Sequence, residues 1–150
     1  FNEGSFPVPD LVLLLDLPIE ESAEMREALS RRGLDQIFLV SPTTTDARLA
    51  EAGRLGRGFL YAISRLGVTG ARNAVAGTAA PLVARIRQHA SLPVALGFGV
   101  SRPEHVSEIC GYADAAVIGS AIVQVIADAS AAGHAAAPDV EAFVRWLKSG

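Results

Sequence analysis

Apolar residues along this chain fall into short continuous runs separated by longer amphipathic stretches. Five such runs occur, at residues 11–15, 36–40, 59–63, 93–96 and 113–118. Continuous apolar runs of this length, bounded by polar residues or glycine, are typical of strands buried on both faces of a parallel sheet. The pattern therefore predicts five parallel strands.

Helix signals lie between these strands. The first predicted helix begins near Pro18, carries Glu20 in its first turn, where a carboxylate stabilises the positive end of the helix dipole, and ends at Gly33. Ser101 and Glu104 have the spacing of a capping box at the start of another helix. Further helices are predicted at residues 46–55 and 79–90, from Ser120 onward, and beyond Pro138.

In the last predicted helix, apolar residues recur on one side at helical spacing. They are Val140, Phe143, Val144 and Leu147. Residues at this spacing share one helix face, which we expect to pack in the core. Trp146 lies off the centre of this stripe, and we expect it to pack at the rim.

Strands alternating with helices predict βαβ units, and hence an α/β fold with a parallel sheet. In such sheets the ligand binds at the carboxyl ends of the strands. Asp16 and Ser41 follow the first two strands, and glycine-containing turns follow the other three. Gly119 and Ser120 stand at a helix start, where free N–H groups favour a phosphate, although tight turns without a ligand would show the same residues.

The loop after the third strand is rich in glycine and hydroxyl groups. Gly67 and Gly70 allow sharp bends, Thr69 adds a hydroxyl, and Arg65 and Arg72 add positive charge. This composition indicates an anion-binding lid that is mobile without ligand, the alternative being a solvated turn.

Composition limits the possible classes of protein. The chain has 150 residues, half of them apolar and 19% charged, which predicts one globular domain over residues 1–150, with residues 1–10 irregular. The net charge of −3 argues against nucleic acid or an anionic membrane as a partner. A single cysteine and the lack of an apparent signal or membrane-spanning segment favour a cytoplasmic location.

Other sites are not favoured by the sequence. The three histidines lie too far apart in sequence to suggest a metal cluster, so we expect no metal. The turn at residues 97–102 begins like a dinucleotide fingerprint, but Arg102 stands where its third glycine belongs.

Several motifs together resemble one known family. They lie at residues 16–22, 38–43, 64–72, 97–100 and 119–123. Their order and spacing resemble those of the tryptophan synthase alpha subunit from about Asp10 to the end of the chain. The resemblance implies a (β/α)8 barrel of TIM type that cleaves indole-3-glycerol phosphate to indole and glyceraldehyde 3-phosphate. The family passes the indole to a pyridoxal-phosphate beta subunit, so we expect that subunit as a partner and no cofactor in this chain.

The resemblance also implies a role for individual residues. Tyr61 would line the pocket near the reacting centre, Phe98 would pack on the indole ring, and Thr69 and Arg65 would tie and position the lid. Asp16 and Pro18 match the loop that faces the beta subunit. The implied phosphate cradle consists of Gly70, Gly99, Gly119 and Ser120.

Part of the family's pattern has no counterpart here. A (β/α)8 barrel has eight strands and about 250 residues, and the match covers only its fourth to eighth strands. The catalytic glutamate and aspartate come from the earlier strands, so we expect no catalytic residue in this chain. Phe1 as the first residue suggests a fragment, a processed product or partial numbering of a longer protein. Two alternatives remain: another phosphate-binding barrel, against which the Thr69 loop argues, and a non-catalytic half-barrel that binds a phosphorylated ligand or a partner subunit.

Overall fold

The computed structural model describes residues 11–64, 76–97 and 99–149, and residues 76–78 by their backbone only. These ranges contain five strands and six α-helices, with one 3₁₀ helix at Ile19–Glu21. In chain order they are β1 (Leu11–Leu13), α1 (Ala23–Ser30), β2 (Asp35–Val40), α2 (Asp46–Leu55), β3 (Leu60–Ile63), α3 (Ala76–His89), β4 (Val94–Gly97), α4 (Pro103–Cys110), β5 (Ala115–Val117), α5 (Ser120–Ala131) and α6 (Ala137–Leu147).

The strands form one parallel sheet in which each strand lies beside the next along the chain, in the order β1-β2-β3-β4-β5. Right-handed crossovers in this sequential order place the helices on one face of the sheet. A doubly wound sheet would instead reverse its strand order and carry helices on both faces. The sheet therefore has the winding of a (β/α) barrel, and the predicted parallel α/β fold is confirmed.

The hydrophobic core lies between the sheet and the helices. Alternate strand residues point to this side because side chains in a strand alternate between its faces. The sheet contributes Phe38, Val40, Leu60, Ala62, Val94 and Leu96, and the helices contribute Leu49, Val83, Ile86 and Ile109, all buried. This interface resembles the interior of a complete domain.

The opposite face of the sheet, called here the inner face, is much less covered. Leu39, Tyr61, Ile63 and Val117 are half-buried there, and Ala115 is exposed. Within the described ranges, β1 and β5 each pair with one neighbouring strand. The inner face is therefore apolar without being closed.

The first helical segment differs from its prediction as one helix over residues 18–33. It is split into the 3₁₀ turn and α1, with Ser22 between them. The Ser22 hydroxyl donates to the Ile19 carbonyl at 2.7 Å, which satisfies the end of the 3₁₀ turn locally. Gly33 follows α1 with φ of 70°, as expected for the glycine that ends a helix.

The predicted capping box at Ser101 and Glu104 is wrong. The N-cap of α4 is Arg102, without a side-chain capping bond, and Pro103 occupies the start of the helix. Proline is favoured there because its missing N–H would have no partner inside the helix. Ser101 therefore lies one residue before the cap, and its N–H donates to His105 Nδ1 at 3.4 Å.

The stripe on α6 is only partly in the core. Leu147 is buried and Val144 is 37% exposed, so the prediction of a fully buried stripe is wrong at Val144. Trp146 is 48% exposed, as expected for a position at the rim. Its ring lies 5.6 Å from that of Phe143, centroid to centroid.

Candidate functional site

Tyr61 lies on the inner face, where β3, β4 and β5 run side by side. Gly97 at the end of β4 pairs with Ile63 on one side and with Val117 on the other. A Cβ on Gly97 would stand 2.9 Å from the Tyr61 hydroxyl and 2.8 Å from the Val117 Cβ. The absence of a side chain at Gly97 is therefore what lets the tyrosine ring cross β4.

The glycine turns after β4 and β5 are neighbours in space. Gly97 and Val117 are paired in adjacent strands, and Gly99 and Gly119 lie two residues after them. The two glycines therefore leave the sheet at the same level. Gly99 has φ of 71°, a conformation that a side chain would strain. Gly119 has open space where a Cβ would be, with nothing within 4 Å. Both glycines are exposed at the carboxyl edge of the sheet.

The start of α5 has the properties of an anion site. Gly119 is its N-cap, without a side-chain capping bond, and Ser120 is its exposed first residue. The first N–H groups of a helix have no partner inside it, and its dipole places partial positive charge there. The first turn of α5 can therefore donate to an anion between the ends of β4 and β5.

Asp16 and Pro18 lie in the segment after β1, and both are exposed. The neighbouring 3₁₀ turn is anchored to α2 by a two-pronged ion pair in which Arg48 Nε is 2.8 Å from Glu20 Oε1 and Nη2 is 3.1 Å from Oε2. This guanidinium contact lowers the pKa of Glu20. The loop that carries Asp16 and Pro18 is thus supported from one side and open on the other.

Arg85 on α3 fixes the loop between β2 and α2. Its guanidinium donates to the carbonyls of Pro42, at 3.2 Å, and Thr44, and its Nε lies 3.3 Å from Asp46 Oδ1. The Thr45 hydroxyl caps α2 by accepting from the Arg48 N–H. The carboxyl edge of β2 is therefore held by the helix layer.

Sequence reasoning placed Gly97 in the glycine turn after the fourth strand but did not predict its close approach to Tyr61, and it did not identify Arg85 or the Glu20 ion pair as contributors. A glycine inside a strand is a signal of close approach, so Gly97 could have been found. Arg85 carries no local signal, because its acceptors are about forty residues away in sequence and are backbone carbonyls.

The predicted residues Arg65, Thr69, Gly70 and Phe98 lie outside the described ranges. The lid, predicted over residues 66–77, also lies outside them, apart from residues 76 and 77, which belong to α3. Among the described side chains, no group of three or more His, Cys, Asp or Glu could hold a metal ion. Within the same ranges, no helix is long and apolar enough to cross a membrane.

Comparison with known proteins decides the family. The family model described as "Tryptophan synthase alpha chain" matches residues 7–150. This chain belongs to the tryptophan synthase alpha chain family. The alpha chain of Geotalea uraniireducens (strain Rf4) is 44% identical over 141 residues, which cover 94% of this chain and 52% of that relative. The alpha chain of Methanoregula boonei is 43% identical over 141 residues, with 93% and 53% covered.

Solved tryptophan synthase structures contain the same fold. A chain in the tryptophan synthase a2b2 complex of Pyrococcus furiosus superposes with a TM-score of 0.81 at 35% identity, covering 92% of this chain and 55% of that one. A chain in the aminoacrylate-bound tryptophan synthase of M. tuberculosis gives 0.66 at 33% identity, with 77% and 42% covered. These neighbours confirm the (β/α) barrel type. The chain spans about half the length of the curated relatives it matches.

Proposed function

We propose that the complete protein cleaves indole-3-glycerol phosphate to indole and glyceraldehyde 3-phosphate in tryptophan biosynthesis, and that this chain carries the phosphate-binding and lid half of the site. The observation that carries the proposal is the approach of Tyr61 to Gly97 at the end of β4, next to the paired end of β5 from which the uncapped α5 begins. Membership of the tryptophan synthase alpha chain family supports the choice of substrate.

In this proposal the substrate phosphate binds backbone N–H groups at the carboxyl edge. The uncapped start of α5 supports that role, because its N–H groups and dipole both favour an anion. Tyr61 lies beside the reacting centre, Phe98 packs on the indole ring, and Thr69 and Arg65 act in the lid. The phosphate donors are Gly70, Gly99, Gly119 and Ser120.

The acid and base for carbon–carbon cleavage are proposed to come from other strands. Inward-facing residues near the carboxyl ends of the described strands are Leu39, Tyr61, Ile63, Gly97 and Val117, none of which is acidic. Residues 1–150 then form the later part of one barrel domain. Its three remaining strands would pair with the free edges of β1 and β5 and cover the inner face.

A beta subunit is the proposed protein partner. Asp16 and Pro18 are exposed on a loop that the Glu20–Arg48 ion pair supports from behind. An exposed loop beside the site is accessible to another subunit. The related chain from Pyrococcus furiosus belongs to a tryptophan synthase a2b2 complex.

A non-catalytic half-barrel is the second candidate function, favoured by the same lack of inward carboxylates. Indole release from indole-3-glycerol phosphate separates the two. We expect none from the 150-residue chain alone, because loss of a positioned acid or base costs about 10²–10⁴-fold each. Adding the separately expressed N-terminal half of a family member should restore turnover. Persistent inactivity of a correctly closed barrel would favour the non-catalytic candidate.

The phosphate site has its own test in Gly119→Val. A Cβ at Gly119 would enter open space, so the variant should fold while the methyl groups of the valine block the N–H groups of α5. Binding of glycerol phosphate, measured by calorimetry, should weaken by at least about tenfold. Gln124→Ala, on the same helix beyond its first turn, is the matched control and should bind normally. Unchanged affinity in folded Gly119→Val would remove Gly119 from the site.

A further inference from the structure

A small polar cavity lies at the opposite end of the sheet, beside the start of β2. It has a volume of about 110 Å³ and is lined by residues of α1, β2 and the end of α2, including Arg26, Ser30, Asp35, Gln36 and Arg57. We call it the α1–α2 cavity. It is separate from the candidate site, which lies at the carboxyl ends of the strands, and the inference below does not rest on the proposed function.

Gln36 is the unusual residue of this cavity. Gln36 lies two and four residues before Phe38 and Val40 in β2, so its side chain points to the same, helix-covered face of the sheet. The residue is only 4% exposed there. Neither its Nε2 nor its Oε1 has a hydrogen-bond partner within the part of the chain that the structure describes. Buried amide groups are nearly always paired, so an unpaired one signals a missing partner.

Two arginines and one carboxylate, Asp35, line the same cavity, so the lining carries a net positive charge, and in the described ranges neither arginine forms an ion pair. Arg26 donates through Nε to the Ser22 hydroxyl at 3.3 Å, and Arg57 donates through Nη1 to the Gly56 carbonyl at 3.1 Å. Each guanidinium therefore keeps further N–H donors for another acceptor. By contrast, Arg54 at the same end of α2 is engaged by Glu51 at 2.6 Å.

The two guanidinium groups and the Gln36 amide together indicate the chemistry of a ligand for this cavity. Guanidinium groups match the planar geometry of a carboxylate. The Gln36 amide offers one donor and one acceptor side by side, so its complement carries an acceptor and a donor on neighbouring atoms. The volume has room for about four water-sized groups, which suits a molecule of very few non-hydrogen atoms.

We propose that the α1–α2 cavity binds a small carboxylate that bears a hydroxyl or amino group on the adjacent carbon. Its carboxylate would accept from Arg26, Arg57 and the Gln36 amide nitrogen, while its O–H or N–H would donate to the Gln36 carbonyl. Binding at this position would bridge α1, β2 and the end of α2, and so should stabilise the fold.

Glycolate is the probe, with acetate as the carboxylate that lacks the donor and sodium chloride as the ionic-strength control. Because a ligand that binds only the folded state stabilises it by mass action, glycolate should raise the Tm of the chain in proportion to the logarithm of its concentration once that exceeds the Kd. Glycolate should raise the Tm more than acetate does, and chloride should not show this dependence. Glycolate should also shift the side-chain amide resonances of Gln36 in a nitrogen-15 NMR spectrum.

Variants make the assignment specific. Arg57→Met should weaken glycolate binding by about tenfold, the usual effect of losing one charged hydrogen bond. Gln36→Leu should remove the preference for glycolate over acetate, while Arg54→Met, outside the cavity, should bind as the parent chain does. The proposal is overturned if glycolate gives no saturable response, which would mean that the cavity holds water only. It is equally overturned if Arg54→Met weakens binding as much as Arg57→Met, or if Gln36→Leu keeps the preference.

Discussion

The two faces of the sheet are built from similar apolar residues but differ in how deeply those residues are buried. On the helix-covered face, Leu60 and Leu96 are fully buried against α2, α3 and α4. On the inner face, Leu39 and Ile63 remain half-exposed. The helix-covered face is buried by local βα connections, since each helix packs back onto the strand it follows. The inner face has no such cover in the described part of the chain, and in the proposed barrel it would be covered when further strands close the sheet on itself.

The largest expected effect tests this difference directly with a matched pair of leucines. Leu60→Ala on the helix-covered face should lower the free energy of unfolding by about 2–5 kcal/mol, the usual cost of a buried leucine. Leu39→Ala on the inner face should cost clearly less, because its side chain already contacts solvent. Urea unfolding of both variants gives the comparison, and equal losses would contradict it.

The same pair sharpens the comparison once the barrel is closed. With the N-terminal half of a family member bound, Leu39 should become buried and the cost of Leu39→Ala should rise toward that of Leu60→Ala. A cost that stays the same on closure would mean that the added strands do not cover the inner face.

Gly97 tests the inner face at the candidate site. A methyl group in Gly97→Ala would collide with Val117 and the Tyr61 ring, and such overpacking typically costs about 1–3 kcal/mol. Gly119→Ala is the control, since its Cβ would enter open space. Thermal unfolding should separate the two variants, and in the closed barrel Gly97→Ala should also reduce turnover by displacing Tyr61. Equal Tm values would show that Tyr61 does not need the space over β4.

Arg85 tests how firmly the helix layer holds the edge of β2. Arg85→Met keeps the length of the side chain but removes the hydrogen bonds to Pro42 and Thr44 and the ion pair with Asp46, so we expect a loss of about 1–2 kcal/mol, discounted for partial exposure. Arg54→Met removes an exposed ion pair with Glu51 and should change stability by less than about 1 kcal/mol. The reverse order of the two losses would contradict this role for Arg85.

The smallest expected effect lies at the start of β4 and depends on pH. The Val94 N–H donates to Asp114 Oδ2 at 2.8 Å, and the Arg87 guanidinium lies 3.2 Å from the same oxygen. Both contacts lower the pKa of Asp114. A lowered folded-state pKa contributes stability above the unfolded value, about 3.9, and this contribution is lost as the pH falls through the folded value. Asp114→Asn, whose amide oxygen can still accept from Val94, should therefore lose stability at neutral pH and flatten the acid limb of the stability profile. An unchanged acid limb would exclude Asp114 as its source.

The sequence by itself determined the class of fold and the place of the site. Continuous apolar runs and helix-end signals are local, so they identified the parallel sheet, the bounds of α2 and the glycine that follows α1. The carboxyl-edge position of Asp16, Gly99 and Ser120 follows from strand direction alone. The motifs after β3, β4 and β5 indicated the tryptophan synthase alpha family before any contact was known.

Only the tertiary structure decided which residues support that site and which face of the sheet is buried. Gly97 matters because Val117 and Tyr61 arrive from neighbouring strands, and Arg85 matters because the β2 loop lies beneath it. In the sequence, Gln36 is a polar residue at the start of a strand. Only the tertiary structure shows that its side-chain amide is buried beneath α1 and α2 without a hydrogen-bond partner in the described ranges. Local patterns fix each residue's secondary structure and strand face, whereas the partner of a buried polar group depends on residues far away in sequence, which local periodicity does not encode.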